Sequence, residues 1–369
     1  MMKKPKVAMI TTWNNKCGIA EYTRLLCHEL EEQIDFTIFP NYDVRLIRND
    51  ESNVAKRLWH SSLKGDLNDL CNELKKNPYD ILHFQYGYMF YKLIHLTSLI
   101  NELHNKYKII ITLHETNDKN WARSLESIKD QLNLCYRLIV HQFEDKNRLI
   151  KNGIDEEIID IIPLGQIIYP YIDKTFAQNK LNYNRSLVIG SYGFLLPHKG
   201  IKENIESFAI IKKQYPDVLY IVSCALYESA DSLNYLVECQ KTVNQLNLTE
   251  NVVFITEFLS NDECIKLLQA CDVLLMAYHH TEQSASGAMR FCVAALRPII
   301  TTRQNIFNEF SECTYQIDNC NPVEIAEAVF KIKKETELAE ILVENMKKQI
   351  NETNWERVGK LTYSLYVND

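Results

Sequence analysis

Short apolar runs alternate with longer amphipathic segments along the first half of the chain. The runs at residues 6–11, 80–85 and 108–113 have the length and composition of buried strands. Between them, apolar positions recur at helical spacing over residues 18–31 and 91–106. Strands that alternate with helices in this way predict βαβ units and a parallel sheet.

The alternation is interrupted once, at residues 169–185, which are polar and without a clear period. It resumes with a strand-like run at 186–192 and continues to the end of the chain. At about 100–200 residues per domain, the 369 residues suggest two domains. We predict a first domain over residues 1–170, a linker over 171–185 and a second domain over 186–352.

Composition and charge exclude several classes of protein. The chain is 46% hydrophobic with a net charge of -7, so disorder is excluded as its main state. A membrane-spanning helix needs about 18 apolar residues in a row, which no run approaches. The apolar run near the start is too short for a signal peptide and predicts a strand, which favours a cytoplasmic protein. A nucleic-acid partner is not expected, because such proteins are usually basic.

Eleven cysteines are present, without a C-x-x-C pair. Several lie within apolar strands or helices, which is typical of reduced, buried thiols. The spacing gives no reason to expect a metal site.

Ligands of parallel α/β sheets bind beyond the carboxyl ends of the strands, so we examine the loops there. In the first domain, Gly18 opens a helix after a strand, where a backbone could approach an anionic ligand. His114 follows the strand at 108–113. The alternatives are an ordinary turn at Gly18 and a structural hydrogen bond at His114. Other polar or aromatic candidates on this side are Trp13, Asn15, Lys16, Gln85 and Tyr86.

Two loops of the second domain combine small residues, a helix start and a cation. The first, at residues 193–200, contains Lys199 between glycines, a suitable anchor for a phosphate. The second, at residues 278–291, has free amide donors at the start of a helix. Its candidate residues are Glu282, Ser284, Ser286, Gly287 and Arg290. The alternatives are an exposed lysine and a serine that only caps the helix.

In order, these segments resemble the GT-B glycosyltransferases, in particular family 4 of the retaining glycosyltransferases. The resemblance rests on the glycine loop, DILHFQYGY, TLHET, YGFLLPHKG, EQSASGAMRFCVAALRPIITT and the terminal NWERVGKLTYSLY. It implies an α/β fold of two Rossmann-like, doubly wound parallel-sheet domains that face a central cleft. It also implies that residues 353–369 form a helix that returns to the first domain.

The resemblance implies roles for individual residues. Lys199 corresponds to the diphosphate-binding lysine, Gly18 to the loop near the donor, and His114 to the histidine beside the transferred sugar. Glu282 corresponds to the first glutamate of the family's E-x7-E motif, and Phe258 lies where the nucleotide base is often placed. His114, Glu282 and Lys199 are therefore the expected catalytic group, without a metal or other cofactor.

Two positions depart from the family pattern. Phe194 stands where an arginine usually follows the loop glycine, and the second glutamate of E-x7-E is replaced by Arg290 or, in the alternative register, Phe291. We hypothesise that Arg290 supplies the positive charge that is lost near Phe194.

The implied reaction is the transfer of a sugar, with retention, from a nucleoside-diphosphate sugar to an acceptor hydroxyl. The implied setting is bacterial surface polysaccharide, lipopolysaccharide or glycolipid assembly, with a carbohydrate or lipid-linked glycan acceptor. Peripheral contact with the inner face of the plasma membrane would involve a basic and aromatic patch: Lys3, Lys4, Arg45, Arg48, Lys56, Arg57 and Trp59. The alternatives are a sugar-nucleotide epimerase of the same fold and a non-catalytic scaffold subunit of a glycan-assembly complex.

Overall fold

The computed structural model describes residues 4–42, 46–61, 66–87, 90–116, 121–281 and 286–368, without the side chains of 121–124. These residues form two compact units. Unit 1 contains residues 4–165 and 353–368, and unit 2 contains residues 166–281 and 286–352.

Unit 1 is built on a parallel sheet of seven strands in the order β3-β2-β1-β4-β5-β6-β7. The strands are β1 (Lys6–Thr11), β2 (Asp35–Tyr42), β3 (Trp59–His60), β4 (Ile81–Tyr86), β5 (Lys108–Leu113), β6 (Arg137–Val140) and β7 (Ile159–Ile161). The chain reverses its direction of progress through the sheet between β1 and β4. Such a reversal is where ligands bind in open α/β sheets.

Helices cover both faces of this sheet. They are α1 (Gly18–Leu30), α2 (Asn68–Leu74), α3 (Ile94–Leu103), α4 (Trp121–Leu132) and α5 (Phe143–Lys151). The last helix of the chain, α13 (Trp355–Val367), also belongs to unit 1 and packs on α1. Gly359 makes this packing close, because a Cβ atom there would lie 2.6 Å from the side chain of Glu29.

Unit 2 is built on a second parallel sheet in the order β10-β9-β8-β11-β12-β13. Its strands are β8 (Leu187–Phe194), β9 (Val218–Ala225), β10 (Val252–Ile255), β11 (Val273–Met276), β12 (Ile299–Thr302) and β13 (Tyr315–Ile317). Its helices are α6 (Lys174–Leu181), α7 (Ile201–Gln214), α8 (Ala230–Gln245), α9 (Asn261–Gln269), α10 (Gly287–Ala294), α11 (Pro322–Lys334) and α12 (Thr336–Thr353).

Each sheet carries a hydrophobic core on both faces, as strands rich in isoleucine, valine and leucine require. All eleven cysteines are free thiols; Cys17 and Cys320 are half-buried and the other nine are buried. Within the described residues, the helices are too short or too polar to cross a lipid bilayer.

The two doubly wound parallel sheets confirm the predicted fold class. The segment expected to be a linker differs, because residues 174–181 form α6 within unit 2. Asp173 caps this helix by accepting a hydrogen bond from the amide of Phe176, and Gln178 donates to the carbonyl of Ala270. These contacts, rather than an apolar period, hold the segment in a helix. Its sequence pattern therefore gave no helical signal.

Candidate functional site

Lys199 lies at the carboxyl edge of the unit 2 sheet, in the loop between β8 and α7. Its side chain is only 8% exposed, and Nζ donates a hydrogen bond to Tyr278 Oη at 2.9 Å. Nζ also lies 4.0 Å from the centre of the Tyr278 ring. Burial lowers the pKa of Lys199 to about 8, because a charged ammonium loses its hydration there. Within the described residues, the hydrogen bonds of the Lys199 ammonium thus include no carboxylate.

Gly200 is required by the fold of this loop. Its φ is +66°, and a Cβ atom there would lie 2.2 Å from the carbonyl oxygen of Ala277 and 2.5 Å from Cys320 Sγ. Only glycine can bring the backbone this close to the end of β11. The glycine therefore fixes where Lys199 stands relative to the neighbouring strand.

The start of α10 lies beside Lys199. Ser286 is the N-cap and accepts a hydrogen bond from the amide of Met289, which is the structural role that the sequence left open. Ser286 also hydrogen-bonds Tyr278, the residue that holds Lys199. A Cβ atom at Gly287 would meet no atom of the described residues within 4 Å, so their packing does not demand glycine there. The predicted donor residues Glu282 and Ser284 lie outside the described residues.

Arg290 has an internal partner. Its guanidinium is buried, forms an ion pair with Glu309 and lies 4.7 Å from the centre of the Phe310 ring. Gln166 contacts it from the opposite side, with its side-chain oxygen accepting from Nη1 at 3.4 Å. The positive charge expected to replace the missing arginine is therefore balanced by a carboxylate of unit 2.

An aromatic cluster occupies the carboxyl ends of β8, β9 and β10. Phe194 and Phe258 are stacked with ring centres 6.0 Å apart, and Tyr227 meets Phe194 edge-on at 5.3 Å. Phe258 is 41% exposed and Tyr227 is 45% exposed. Phe194, which stands in place of the expected arginine, thus supports Phe258 from behind.

In unit 1, His114 stands at the end of β5 within a chain of hydrogen bonds. Its Nε2 lies 2.8 Å from Gln85 Oε1, and its Nδ1 lies 3.0 Å from Nε2 of His141. Tyr22 of α1 packs edge-on against His114, with ring centres 4.8 Å apart. Burial lowers the pKa of His114 well below its ordinary value, and the neighbouring His141 and His83 lower it further. His114 is therefore neutral near pH 7.

The same chain continues into the interior of the sheet. The side-chain nitrogen of Gln85 lies 3.2 Å from Nε2 of His83, and Nδ1 of His83 lies 2.6 Å from the hydroxyl of Tyr366 on α13. Thr112 Oγ1 is also 2.8 Å from His83 Nε2. Burial lowers the pKa of His83 to about 3. A completely buried row of polar groups thus leads from the last helix of the chain to His114.

Gly18 begins α1 and leaves open space in front of it. A Cβ atom at this position would meet no atom within 4 Å, and the residue has no positive φ. Neither the backbone nor the packing of unit 1 explains the glycine. An approaching ligand remains the physical reason that we put forward for it.

The residues expected on the acceptor side are mostly buried. Trp13 donates from its ring nitrogen to Glu51 at 3.1 Å, while Gln85 and Tyr86 lie in the core. Asn15 is half-buried and Lys16 is exposed. In the described structure, Lys16 is thus the most accessible member of this group.

The basic and aromatic patch expected to meet a membrane is wrong in part. Trp59 is 1% exposed and donates to the carbonyl of Phe39, so it belongs to the core. Arg57 pairs with Asp50 at 2.8 Å, and Arg48 lies 3.7 Å from Glu21. Lys4 and Lys56 are exposed, while Lys3 and Arg45 lie outside the described residues. Charge pairing and core packing within unit 1 therefore account for Arg48, Arg57 and Trp59.

Comparison with known proteins identifies the second unit. Residues 173–349 match the family model described as glycosyl transferases group 1. This part of the chain, just under half of its length, is similar to that family. The match begins in α6 and extends almost to the end of α12, so it includes Lys199, Phe258 and Arg290 of this glycosyltransferase domain.

Relatives agree with the assignment over a greater length. The chain is 23% identical over 333 residues to YtcC of Bacillus subtilis (strain 168), which is provisionally named a glycosyltransferase. The alignment covers 86% of this chain and 79% of YtcC. The structure is similar to that of the Anabaena protein HepE in complex with UDP and glucose, with a TM-score of 0.72 and 13% sequence identity. The superposition covers 99% of this chain and 100% of HepE. Sucrose-phosphate synthase from Thermosynechococcus elongatus gives a TM-score of 0.73 at 15% identity, with 98% of each chain covered.

These likenesses confirm the GT-B fold that the motifs indicated. They also support a glycosyltransferase that takes its sugar from a nucleotide sugar. The individual site residues stay predictions. Sequence reasoning did not find Tyr278, His141 or Tyr366, because each acquires its place only through contacts with residues distant in the chain.

Proposed function

We propose that this glycosyltransferase moves a sugar from a nucleoside-diphosphate sugar to an acceptor hydroxyl with retention of anomeric configuration. The observation that carries the proposal is Lys199, a buried ammonium beside the N-terminus of α10. Developing negative charge on a leaving diphosphate is stabilised by such a preorganised cation together with free backbone amides. The lowered pKa of Lys199 shows that the site holds this cation at some cost before the donor arrives.

The nucleotide base is assigned to the aromatic cluster of Phe194, Tyr227 and Phe258. Two of these rings expose more than a third of their surface, and they lie together at the carboxyl ends of strands, where a planar ligand would cover them. A base stacked on Phe258 would extend the existing stack with Phe194. Uracil is the first base to test, because HepE was described in complex with UDP and glucose.

Unit 1 is assigned the sugar and acceptor groups. His114 is proposed to lie beside the transferred sugar, and the open space at Gly18 is proposed to admit the donor. Glu282 keeps its proposed role as a second sugar ligand. Arg290 is proposed to hold α10 in place through Glu309, rather than to contact the diphosphate itself.

Bacterial surface polysaccharide, lipopolysaccharide or glycolipid assembly is the proposed setting. A carbohydrate or lipid-linked glycan is then the acceptor, and contact with the inner face of the membrane would be peripheral. Because the structure places Trp59 in the core, any such contact would depend on Lys4 and Lys56.

A screen of nucleotides and sugar nucleotides tests the proposal. Isothermal titration of the whole chain with UDP, GDP and ADP and their glucose conjugates should reveal one preferred base, and Lys199→Met should abolish its binding. Incubation of the preferred donor with no acceptor should leave the sugar unchanged apart from slow hydrolysis. An epimerised sugar nucleotide would establish the epimerase instead, and no binding of any nucleotide would establish the scaffold.

A further inference from the structure

The buried groups His83 and Tyr366 have no part in the function proposed so far. Both lie in the interior of unit 1, and a 2.6 Å hydrogen bond joins them although 283 residues separate them in the chain. Burying a histidine and a tyrosine hydroxyl is costly unless their hydrogen bonds are satisfied. The row that begins with them ends at His114. The position of His83 and Tyr366 in this row therefore indicates a role in addition to packing.

The orientation of the Gln85 amide decides how protons are arranged along the row. Its nitrogen lies 3.4 Å from the sulfur of Met9, which can only accept a hydrogen bond, and 3.2 Å from His83 Nε2. Its oxygen is consequently turned towards His114 Nε2, at 2.8 Å. An amide oxygen accepts and never donates, so His114 Nε2 carries the proton.

His83 transmits this orientation from α13. It is neutral, so it has one N–H, and its Nε2 accepts from the Gln85 amide. The proton therefore sits on Nδ1 and is donated to Tyr366 Oη. Nε2 has a single lone pair, which the Thr112 hydroxyl at 2.8 Å shares with the Gln85 amide at 3.2 Å.

The opposite end of the row is anchored by a carbonyl. His141 Nδ1 donates to the carbonyl oxygen of Ile162 at 2.9 Å, and His141 Nε2 faces His114 Nδ1 at 3.0 Å. Because His114 is neutral and protonated on Nε2, its Nδ1 accepts and His141 donates from both nitrogens. His141 is then the charged member of the pair. The other titratable groups that face the pair are Tyr22 of α1 and His83 of β4.

We propose that Tyr366 is a positioning residue that holds His114 in its Nε2-protonated tautomer, acting through His83 and Gln85. The C-terminal helix is thereby part of the active site, although Tyr366 does not touch substrate. The expected effect on catalysis rests on the role of His114 in the proposed function. The assignment of the His114 tautomer does not depend on that role. Second partners that fix a histidine tautomer commonly decide which nitrogen can act on a ligand.

The test is Tyr366→Phe, which removes one hydroxyl and keeps the ring packed against Phe36. In the wild-type chain labelled with 15N-histidine, NMR should show His114 protonated on Nε2 and His141 protonated on both nitrogens. The variant should show His114 as a mixture of tautomers, and kcat should fall about tenfold or more with little change in the donor KM. Tyr363→Phe on the same helix lies outside the row and is the matched control, with no expected change.

Three outcomes overturn the proposal: a wild-type His114 protonated only on Nδ1, an unchanged His114 in Tyr366→Phe, or an equal effect of Tyr363→Phe. If Tyr366→Phe fails to fold, Gln85→Met removes the same connection within β4 and should give the same mixture. A shifted tautomer with unaltered sugar transfer would support the positioning of His114 and contradict its role in the proposed function.

A separate cluster in unit 2 has the chemistry of a metal site. Glu203 in the first turn of α7, His279 after β11 and Cys320 before α11 place one ligand atom each within 4.8 Å of one another. His279 Nε2 lies 3.1 Å from Glu203 Oε1. The second oxygen, Glu203 Oε2, is buried and has no hydrogen-bond partner among the described residues. An unpaired buried carboxylate oxygen calls for a cation.

The geometry points to a binding site for a zinc-class divalent ion at this cluster. A sulfur, an imidazole nitrogen and a carboxylate oxygen are the ligands that zinc accepts, and solvent supplies the fourth position in open sites. His279 is half-exposed, which gives the ion a path of entry. On binding, Cys320 loses its proton to solvent and its sulfur coordinates the ion as a thiolate. The ion would join three loops next to Gly200, which sets the position of Lys199.

Titration of the metal-free chain with Co²⁺ tests the site, because a cobalt–thiolate bond gives an absorption band in the near ultraviolet. The wild-type chain should develop this band at one equivalent, and Cys320→Ser should lack it. Cys17→Ser removes the other half-exposed thiol and should keep the band. No band in the folded wild-type chain, or a band that survives in Cys320→Ser, would overturn the assignment.

Discussion

The strongest consequence of the structure is that donor binding should weaken as Lys199 loses its proton. With a pKa of about 8, nine-tenths of the lysines are charged near pH 7 and about one-tenth near pH 9. If only the ammonium binds the diphosphate, the donor affinity should fall about tenfold between these two pH values. An exposed lysine would remain charged throughout and produce almost no change.

The assay is isothermal titration with the preferred nucleotide sugar, whose phosphates do not titrate in this range. Lys199→Arg is the first comparison, because a guanidinium stays protonated and should flatten the dependence on pH even if it binds less tightly. Lys199→Met should show no measurable donor binding at either pH. An affinity that is constant between pH 7 and pH 9 in the wild-type chain would refute the reasoning.

The same lysine should oppose folding in the absence of donor. Lowering its pKa from 10.5 to about 8 corresponds to about 3 kcal/mol, the upper limit of what burying the charge costs near pH 7. Between pH 8 and 10.5 the unfolded chain binds more protons at Lys199 than the folded chain. Its contribution to the free energy of unfolding therefore rises over that range. Lys199→Met should accordingly raise the stability at pH 7 while it abolishes donor binding. A variant that is less stable as well as inactive would show that the lysine is structural.

Substitutions at four further positions separate folding from binding. Arg290→Met should destabilise unit 2 by about 3 kcal/mol in urea unfolding because it removes the guanidinium that forms an ion pair with Glu309, and the double variant with Glu309→Met should recover most of the loss. An unaffected stability would contradict the pairing. Phe258→Ala should weaken nucleotide binding at least about fivefold in titrations if the base stacks there, with stability preserved. Gly200→Ala should lower the melting temperature, because position 200 has a positive φ and a Cβ atom there would clash with the backbone. Gly18→Ala should fold normally and lose sugar transfer. Equal effects of the two variants on the melting temperature would refute the distinction.

The boundaries of most elements followed from the sequence, because parallel strands buried on both faces are short apolar runs that are easily recognised. The strands β1 and β5 have the predicted ends, and β4 and α1 differ from the predicted ranges by one residue. Two elements were not predicted from the sequence because neither shows an apolar period. Helix α6 is stabilised by its cap and by contacts with the rest of unit 2, and the two-residue strand β3 is too short to show a period.

The candidate site divides along the same line. The sequence located Lys199, His114, Gly18 and Ser286 because strand ends and helix starts mark where ligands bind in this class of fold. It misjudged Trp59 and left Arg290 without its partner. Whether an arginine faces a ligand or a buried glutamate depends on which distant segment packs over it.

The sequence by itself determined the fold class, the family resemblance and the loops in which we predict the chemistry, since these depend on local periodicity and on the order of motifs. Only the tertiary structure decided the electrostatic state of the residues in those loops. The low pKa of Lys199 arises from burial beside Tyr278, and the proton on His114 is set by a row of groups that ends at Tyr366. Hydration and hydrogen bonding are properties of the assembled surroundings, and residues far apart in the chain supply them.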